Sequence, residues 1–230
     1  MKAVLISGSY TKKEIANDII NFINLNITVE KNISFVASEF EKQEDNDSSV
    51  NNLLSEFGKK NLIFSNYYII DSRYSKESMI DNITKSNIIF LLGGDTLEQI
   101  KKIKEYNLDK YIKDDNKIII GISAGAINMA KRVVLAKDIE DNIPNLSIYE
   151  GIGITDINIE PHCDFYNKIH WQDLIEASMY TNLVVMHDDV YIIIDDNKIN
   201  YYGHYINLCK GKIFFENKEI FLEDFIKVIK

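Results

Sequence analysis

The chain has 230 residues, of which 46 % are hydrophobic and 27 % charged, and 35 acidic side chains against 26 Lys and Arg give it a net charge of −9. This is the composition of a folded globular protein, and its length fits one α/β domain spanning residues 1–230. The acidic balance excludes nucleic acid and anionic membrane surfaces as partners, because both require a basic face.

Lys2 to Ile6 reads as a buried parallel strand that turns at Ser7 to Thr11 into a helix over about Lys12 to Ile23, with Ile15, Ile19, Ile20 and Ile23 on one face. With a single glycine, the turn is better read as plain turn chemistry than as a phosphate cradle. Ile33 to Ala37 is a second strand, and the charged, aperiodic stretch from Glu39 to Ser49 reads as a surface loop. Val50, Leu53, Leu54 and Phe57 recur at helical spacing, followed by a strand over Tyr67 to Ile70 and a helix over Lys76 to Thr84. Asn87 to Leu92 is the next strand; it ends at Gly93-Gly94, where Asp95 or Thr96 caps a helix running through Leu97, Ile100 and Ile103. The β-branched run Ile118 to Ile120 is a strand of the kind buried on both faces.

Beyond it, Val133 to Ala136 is strand-like, and Ile152 to Ile159 alternates apolar and polar residues up to Pro161-His162-Cys163-Asp164. A helix over about Ile169 to Met179 follows. Short strands at Val184 to Met186, Val190 to Ile194 and Ile199 to Tyr202 lead to a hairpin-like Lys212 to Phe221 and a terminal helix. Strands alternating with helices imply a three-layer, doubly wound, mostly parallel sheet with helices on both faces, whose strand C-terminal ends form one rim. No apolar run reaches the ~18 residues of a membrane-spanning helix, and the N-terminus enters a strand-like segment without a leader pattern, so a cytoplasmic protein is expected. Cys163 and Cys209 are too few for a disulfide framework and lack zinc-finger spacing.

Gly121-Ile122-Ser123-Ala124-Gly125 fits G-x-S-x-G, the sharp strand-to-helix turn that lifts a serine hydroxyl above a sheet end. Ser123 is therefore the candidate nucleophile, and helix capping is the bland alternative. Gly93-Gly94 and Ser123 end successive strands on the same rim, so the amides of Gly94 and Ala124 are the candidate oxyanion donors, with Gly93 and Asp95 bordering the substrate. His162, at another strand end behind a proline, is the best-placed base among four histidines. The acid that orients it is the least determined: Asp138 comes first, with Asp188, Glu160 and Asp164 as competitors. Zinc at His162, Cys163 and His170 is disfavoured, since adjacent residues on an extended segment point to opposite faces.

Gly93-Gly94-Asp95-Thr96, then Gly121-Ile122-Ser123-Ala124-Gly125-Ala126, then Pro161-His162 with Asp164, in this order and spacing, resemble the peptidase E (aspartyl dipeptidase) and cyanophycinase-like family of serine peptidases. The resemblance implies a class I glutamine amidotransferase-like (flavodoxin-like) fold with serine in place of cysteine. It also implies Ser123 as nucleophile, His162 as base, an aspartate falling on Asp138, a small peptide as substrate and no cofactor. Two departures stand out: the family's usual Gly-Gly-Asn is Gly-Gly-Asp here, and Phe165 to Trp171 carries Lys168 but no arginine. The reaction class therefore carries over more readily than an aspartyl preference.

Two rival readings remain open. An α/β-hydrolase-type esterase would use Ser123 with Asp188 or Asp189 and His204, although no His-Gly-Gly-Gly type loop is present. A flavodoxin-like or amidotransferase-like binding module would use the Ser7 to Thr11 loop and no reactive serine. The sequence leaves monomer or homodimer undecided.

Overall fold

The first half of the chain alternates strands and helices: β1 (Lys2–Ile6), α1 (Lys13–Asn26), β2 (Asn32–Val36), α2 (Gln43–Lys59), β3 (Asn66–Ile70), α3 (Lys76–Lys85), β4 (Ile88–Leu91), α4 (Thr96–Glu105), the single turn α5 (Asp109–Ile112), β5 (Ile118–Ile122) and a second single turn, α6 (Ala124–Ile127). The second half is richer in strands: β6 (Arg132–Leu135), β7 (Ser147–Glu150), β8 (Asn158–Glu160), α7 (Lys168–Ala177), β9 (Leu183–Met186), β10 (Tyr191–Asp195), β11 (Lys198–Tyr202), β12 (Tyr205–Cys209), β13 (Lys212–Phe215) and β14 (Lys218–Ile220). These elements come from a computed structural model that describes residues 1–8, 13–138, 143–216, 218–221 and 224. The part of the expected turn from Ser9 to Thr11, the expected helix start at Lys12, the inward face assigned to Ile15 and the terminal helix lie outside the described residues.

The main sheet has the order β11-β10-β1-β5-β4-β2-β3, with β1 to β5 mutually parallel and β10 and β11 added antiparallel beside β1. Because side chains alternate across a strand, each of the central strands feeds two cores. Val4, Ile6, Phe35 and Phe90 pack against α1 and α2 through Ile19, Ile23, Leu53 and Phe57. Ala3, Leu5, Ile89 and Ile119 face α3 and α4 through Met79, Ile83, Ile100 and Ile103. Phe90 meets Phe35 and Phe57 at ring-centroid separations of 5.7 and 6.4 Å, contacts that add roughly 0.5–1.5 kcal/mol each to burial. The three layers follow directly. Connections leave β1 and β2 on one face and β4 and β5 on the other, so the rim opens between β1 and β5 and between β2 and β4.

The expected loop over Glu39 to Ser49 is corrected: α2 begins at Gln43. Glu44 and Asp45 occupy its first turn, where carboxylates complement the helix dipole. Asn46 takes the inward position four residues before Val50. Its buried amide donates to Asp71 Oδ2 and the Glu39 carbonyl, both at 3.1 Å. A polar side chain on the inward face is what hid the first turns from a hydrophobic periodicity.

A second sheet, ordered β14-β13-β12-β9-β8, packs α7 through Trp171, Leu174 and Ala177 against Val185, Ile206 and Leu208. Its separation from the main sheet, and strands β7 and β12, were not foreseen. The alternating stretch Ile152 to Ile159 is a strand only at Asn158–Glu160. Before that, the amides of Ile152, Ile154 and Thr155 donate to the carbonyls of Asn128 and Met129 at 2.8, 2.8 and 3.2 Å, so the segment covers the end of α6 instead of pairing in a ladder. No helix among the described residues is long and apolar enough to cross a membrane.

Candidate active site

At the end of β5 the backbone turns at Ser123 with φ 51° and ψ −117°, a conformation that costs a non-glycine residue on the order of 1–3 kcal/mol. The Ser123 amide donates to the Ile6 carbonyl at 2.9 Å, and the Ser123 carbonyl accepts from Ala126 and Ile127 at 2.9 and 3.0 Å. The flanking glycines are required by close approach. A Cβ on Gly125 would lie 2.2 Å from the Leu91 carbonyl oxygen, and one on Gly121 would lie 2.7 Å from the Ala126 nitrogen. G-x-S-x-G is thus the pattern that lets β5 fold back against β4 while raising the hydroxyl to the rim.

His162 reaches that hydroxyl from the other sheet. It follows β8 and Pro161, has φ 57°, and brings Nε2 to 2.9 Å from Ser123 Oγ. On its far side, Nδ1 lies 2.7 Å from Asp188 Oδ1. With Nδ1–H donated to that carboxylate, Nε2 is the acceptor for the serine proton. Asp188 arrives because the chain crosses from β9 in the second sheet to β10 in the main sheet at this point. The end of β1 holds the crossing in place: the Ser7 amide donates to the Val190 carbonyl at 3.0 Å and the Gly8 amide to the Asp188 carbonyl at 3.3 Å. Ser7 Oγ also accepts the His162 amide at 2.9 Å and donates to the Met186 carbonyl at 3.4 Å.

Ser7 and Gly8 thus hold His162 and Asp188 in place, a contact outside the two roles, plain turn or phosphate cradle, that the sequence suggests for this loop. A Cβ on Gly8 would lie 2.4 Å from Asp188 Oδ1 and 2.9 Å from His162 Nδ1, while the Gly8 φ is one that other residues adopt. Gly8→Ala is expected to displace the pair and lower kcat by about 10²-fold, with the unfolding midpoint shifted by only a few degrees. Steady-state kinetics and a thermal melt on one preparation check this.

Across the rim, Gly94 has φ 129°, and a Cβ there would meet Ser38 Oγ at 2.2 Å; Ser38 Oγ in turn donates to the Gly93 carbonyl at 2.7 Å. A Cβ built on Gly93 would lie 3.4 Å from Ser123 Cβ, so this glycine pair borders the hydroxyl. Among the described residues, neither the Gly94 amide nor the Ala124 amide has a hydrogen-bond partner. Asp95 is committed to capping α4, its Oδ1 accepting the Glu98 amide at 2.8 Å. Buried Gln99 and Asn128 tie the two loops: Gln99 donates to the Leu92 carbonyl, and Asn128 to the Thr96 carbonyl and Gln99 Oε1, at 2.9, 2.9 and 3.1 Å. A cleft of about 730 Å³ runs over Ser123 and His162, between Gly94 and α4 on one side and Leu135, Ile143 and Glu160 on the other.

Asp138, first choice from the sequence for the orienting acid, is not brought to His162. Its Oδ2 lies 3.8 Å from His170 Nδ1, and Glu160 Oε1 lies 3.4 Å from His170 Nε2. Asp164 accepts the Tyr166 amide at 2.9 Å in a local turn. The carboxylate beside His162 is that of Asp188, one of the competing acids, at 2.7 Å from Nδ1; closeness in sequence to the Ser123 turn does not bring Asp138 to the imidazole. His204, required by the esterase alternative, is exposed in the turn between β11 and β12. Cys163 is buried, which pushes its thiol well above the ordinary range and keeps it protonated.

Asp138, Glu160 and His170 each place one donor atom within 4.8 Å of the others, and among the described residues they are the set that could hold a metal ion. His170, however, offers a different ring nitrogen to each carboxylate, which suits an imidazolium bridged between them. Burial lowers its pKa, but hydrogen bonding to Glu160 and the charges of Glu160, Asp138 and Asp173 outweigh this and raise it above the ordinary value. A raised folded pKa contributes stability that is complete below about pH 6.5 and lost as pH climbs through the folded value. Urea unfolding should therefore show the wild type more stable than His170→Gln by a margin that is larger at pH 6 than at pH 9.

The chain matches the model of peptidase family S51 over residues 3–202. The uncharacterized peptidase Lin0382 of Listeria innocua is 27 % identical over 143 residues, covering 57 % of this chain and 66 % of the relative. The uncharacterized peptidase Lmo0363 of Listeria monocytogenes is 26 % identical over 129 residues, covering 53 % and 62 %. The chain thus spans a little under two thirds of the length of these curated relatives. Two solved structures share the fold. A protein of Listeria monocytogenes EGD-e described as a peptidase E has a TM-score of 0.60 at 16 % identity, covering 87 % of this chain and 97 % of that one. A peptidase from an acI-B1 actinobacterium has a TM-score of 0.67 at 14 % identity, covering 95 % and 96 %. With the doubly wound sheet of the class I glutamine amidotransferase-like fold and a family match from residue 3 to residue 202, this chain belongs to peptidase family S51.

Proposed function

We propose that the chain is a serine peptidase of short peptides, of the exopeptidase or dipeptidase type, with Ser123 as nucleophile, His162 as general base and Asp188 as the orienting acid. One observation carries the reading: Ser123 Oγ, His162 and Asp188 form a continuous hydrogen-bonded line with separations of 2.9 and 2.7 Å at the rim of the sheet. In the first step the Oγ proton moves to His162 Nε2 as Oγ bonds to the scissile carbonyl carbon. The amides of Gly94 and Ala124 receive the developing oxyanion, each such donor being worth ~2.7–4 kcal/mol in the transition state. His162 Nε2 then protonates the leaving nitrogen, the C–N bond breaks, and water attacks the acyl-enzyme by the same path in reverse. Asp188 holds the tautomer throughout. No step calls for a cofactor.

A cleft of about 730 Å³ falls in the size range of small-ligand sites, which supports short peptides over folded proteins. The test is a panel of two- to eight-residue peptides with free or acetylated N-termini, followed by mass spectrometry. Turnover of short unblocked peptides that disappears in Ser123→Ala is the expected result. Internal cleavage of long blocked peptides would overturn the exopeptidase type, and turnover by a folded Ser123→Ala variant would overturn the serine mechanism.

A further inference from the structure

We infer that Ser38 is a positioning residue of the oxyanion site: by holding the Gly93 carbonyl it turns the N–H of the same peptide unit, that of Gly94, toward Ser123. The inference rests on the serine-peptidase reading above and adds to it a residue buried behind the site. Ser38 lies just past the end of β2, is 5 % exposed, and donates through Oγ to the Gly93 carbonyl at 2.7 Å. In a trans peptide the carbonyl and the next residue's N–H lie in one plane and point in opposite directions, so a partner that fixes one end fixes the other. In the main sheet β4 lies between β2 and β5. A carbonyl drawn to the β2 side therefore sends the Gly94 N–H to the β5 side, where Ser123 follows the strand end.

This orientation is not the one the strand would take by continuing. The Leu92 amide still bonds toward β2, donating to the Val36 carbonyl at 3.0 Å. Successive residues of a strand present their N–H and C=O groups to alternate sides, so the Gly93 carbonyl would next face β5. The negative end of a peptide dipole would then stand where negative charge develops. A glycine pair resists neither orientation, since neither residue carries a Cβ and Gly94 sits at φ 129°, which glycine adopts freely. The direction of this peptide must therefore come from a partner, and Ser38 supplies it. A hydrogen bond accepted by the carbonyl also polarises the peptide and strengthens its N–H as a donor. The preceding unit is held separately by buried Gln99, which donates to the Leu92 carbonyl at 2.9 Å, so Ser38 sets the orientation of a loop whose approach is already fixed.

The test compares two kinds of ligand with the same side chain: the amino aldehydes of alanine, leucine and phenylalanine, and the matching amino alcohols. Ser123 Oγ adds to the aldehyde carbon, the Oγ proton passes to His162 Nε2, and the former carbonyl oxygen carries the negative charge into the oxyanion site; the alcohol binds without this step. Dissociation constants are read by titration calorimetry on folded proteins. In the wild type an aldehyde is expected to bind about tenfold or more tightly than its alcohol. Ser38→Ala should weaken the aldehyde by about 10- to 10²-fold, less than the ~10²- to 10³-fold cost of removing a donor outright, and leave the alcohol within about twofold. Ser38→Cys, nearly the same shape with a weaker donor, should fall between. Ser34→Ala removes another buried hydroxyl, earlier in β2 and 2.8 Å from Ser86 Oγ, and should change neither constant. Equal weakening of aldehyde and alcohol in Ser38→Ala, or weakening of neither, overturns the positioning role and leaves the serine mechanism standing. A wild type that binds none of the aldehydes more tightly than its alcohol overturns the serine reading, and the positioning role with it.

Discussion

On the proposed mechanism, Ser123→Ala lowers kcat by about 10⁴- to 10⁶-fold and leaves the protein folded. The loss is large because the serine, histidine and carboxylate act as a unit: without the hydroxyl, His162 has no proton to take and no acyl-enzyme forms. Stability is barely touched, since Ser123 lines the cleft and the side chain of its partner, His162, is 43 % exposed. A paired variant separates chemistry from strain. Ser123 holds φ 51° and ψ −117°, so Ser123→Gly is expected to be as inactive as Ser123→Ala yet more stable than it by about 1–3 kcal/mol. Calorimetry on the two variants reads this directly. If the glycine variant is no more stable than the alanine variant, the bend is not strained and the account of the G-x-S-x-G turn is wrong.

The second large effect is the split between two aspartates. Asp188→Asn should cost about 10⁴-fold in kcat, because an amide beside Nδ1 favours the tautomer that protonates Nε2 and blocks proton uptake from Ser123. Asp138→Asn should leave most of kcat, because its carboxylate lies 3.8 Å from His170 and not beside His162. Parallel kinetic measurements on the two variants decide the assignment. A severe kcat loss in Asp138→Asn alongside a mild one in Asp188→Asn would return the orienting role to Asp138.

The contrast also shows what could be read from the residues alone. The parallel strands were legible because Ile33 to Ala37, Asn87 to Leu92 and Ile118 to Ile120 are short, mostly apolar runs, and their buried, alternating faces are observed. Ser123, His162 and the glycine pair were legible because each follows such a run at a turn. Asp188 ranked below Asp138 because its position depends on the chain leaving one sheet and entering another between β9 and β10, which local periodicity does not encode. Ser7 and Gly8 were passed over for a related reason. Their contacts are with His162 and Asp188, more than 150 residues away in sequence, and a serine and a glycine after a first strand carry no local mark of that. The start of α2 was lost to Asn46, an inward residue whose polarity mimics a loop.

The most direct test of the central claim is to trap the acyl-enzyme. The wild type is mixed with an amino-acid p-nitrophenyl ester, quenched in acid within milliseconds to seconds, digested and mapped by tandem mass spectrometry. A single acyl adduct on Ser123, absent from Ser123→Ala and strongly reduced in His162→Ala, is the predicted result. Peptide hydrolysis by a wild-type protein that never carries an acyl group on Ser123, or carries it on another residue, would contradict the account.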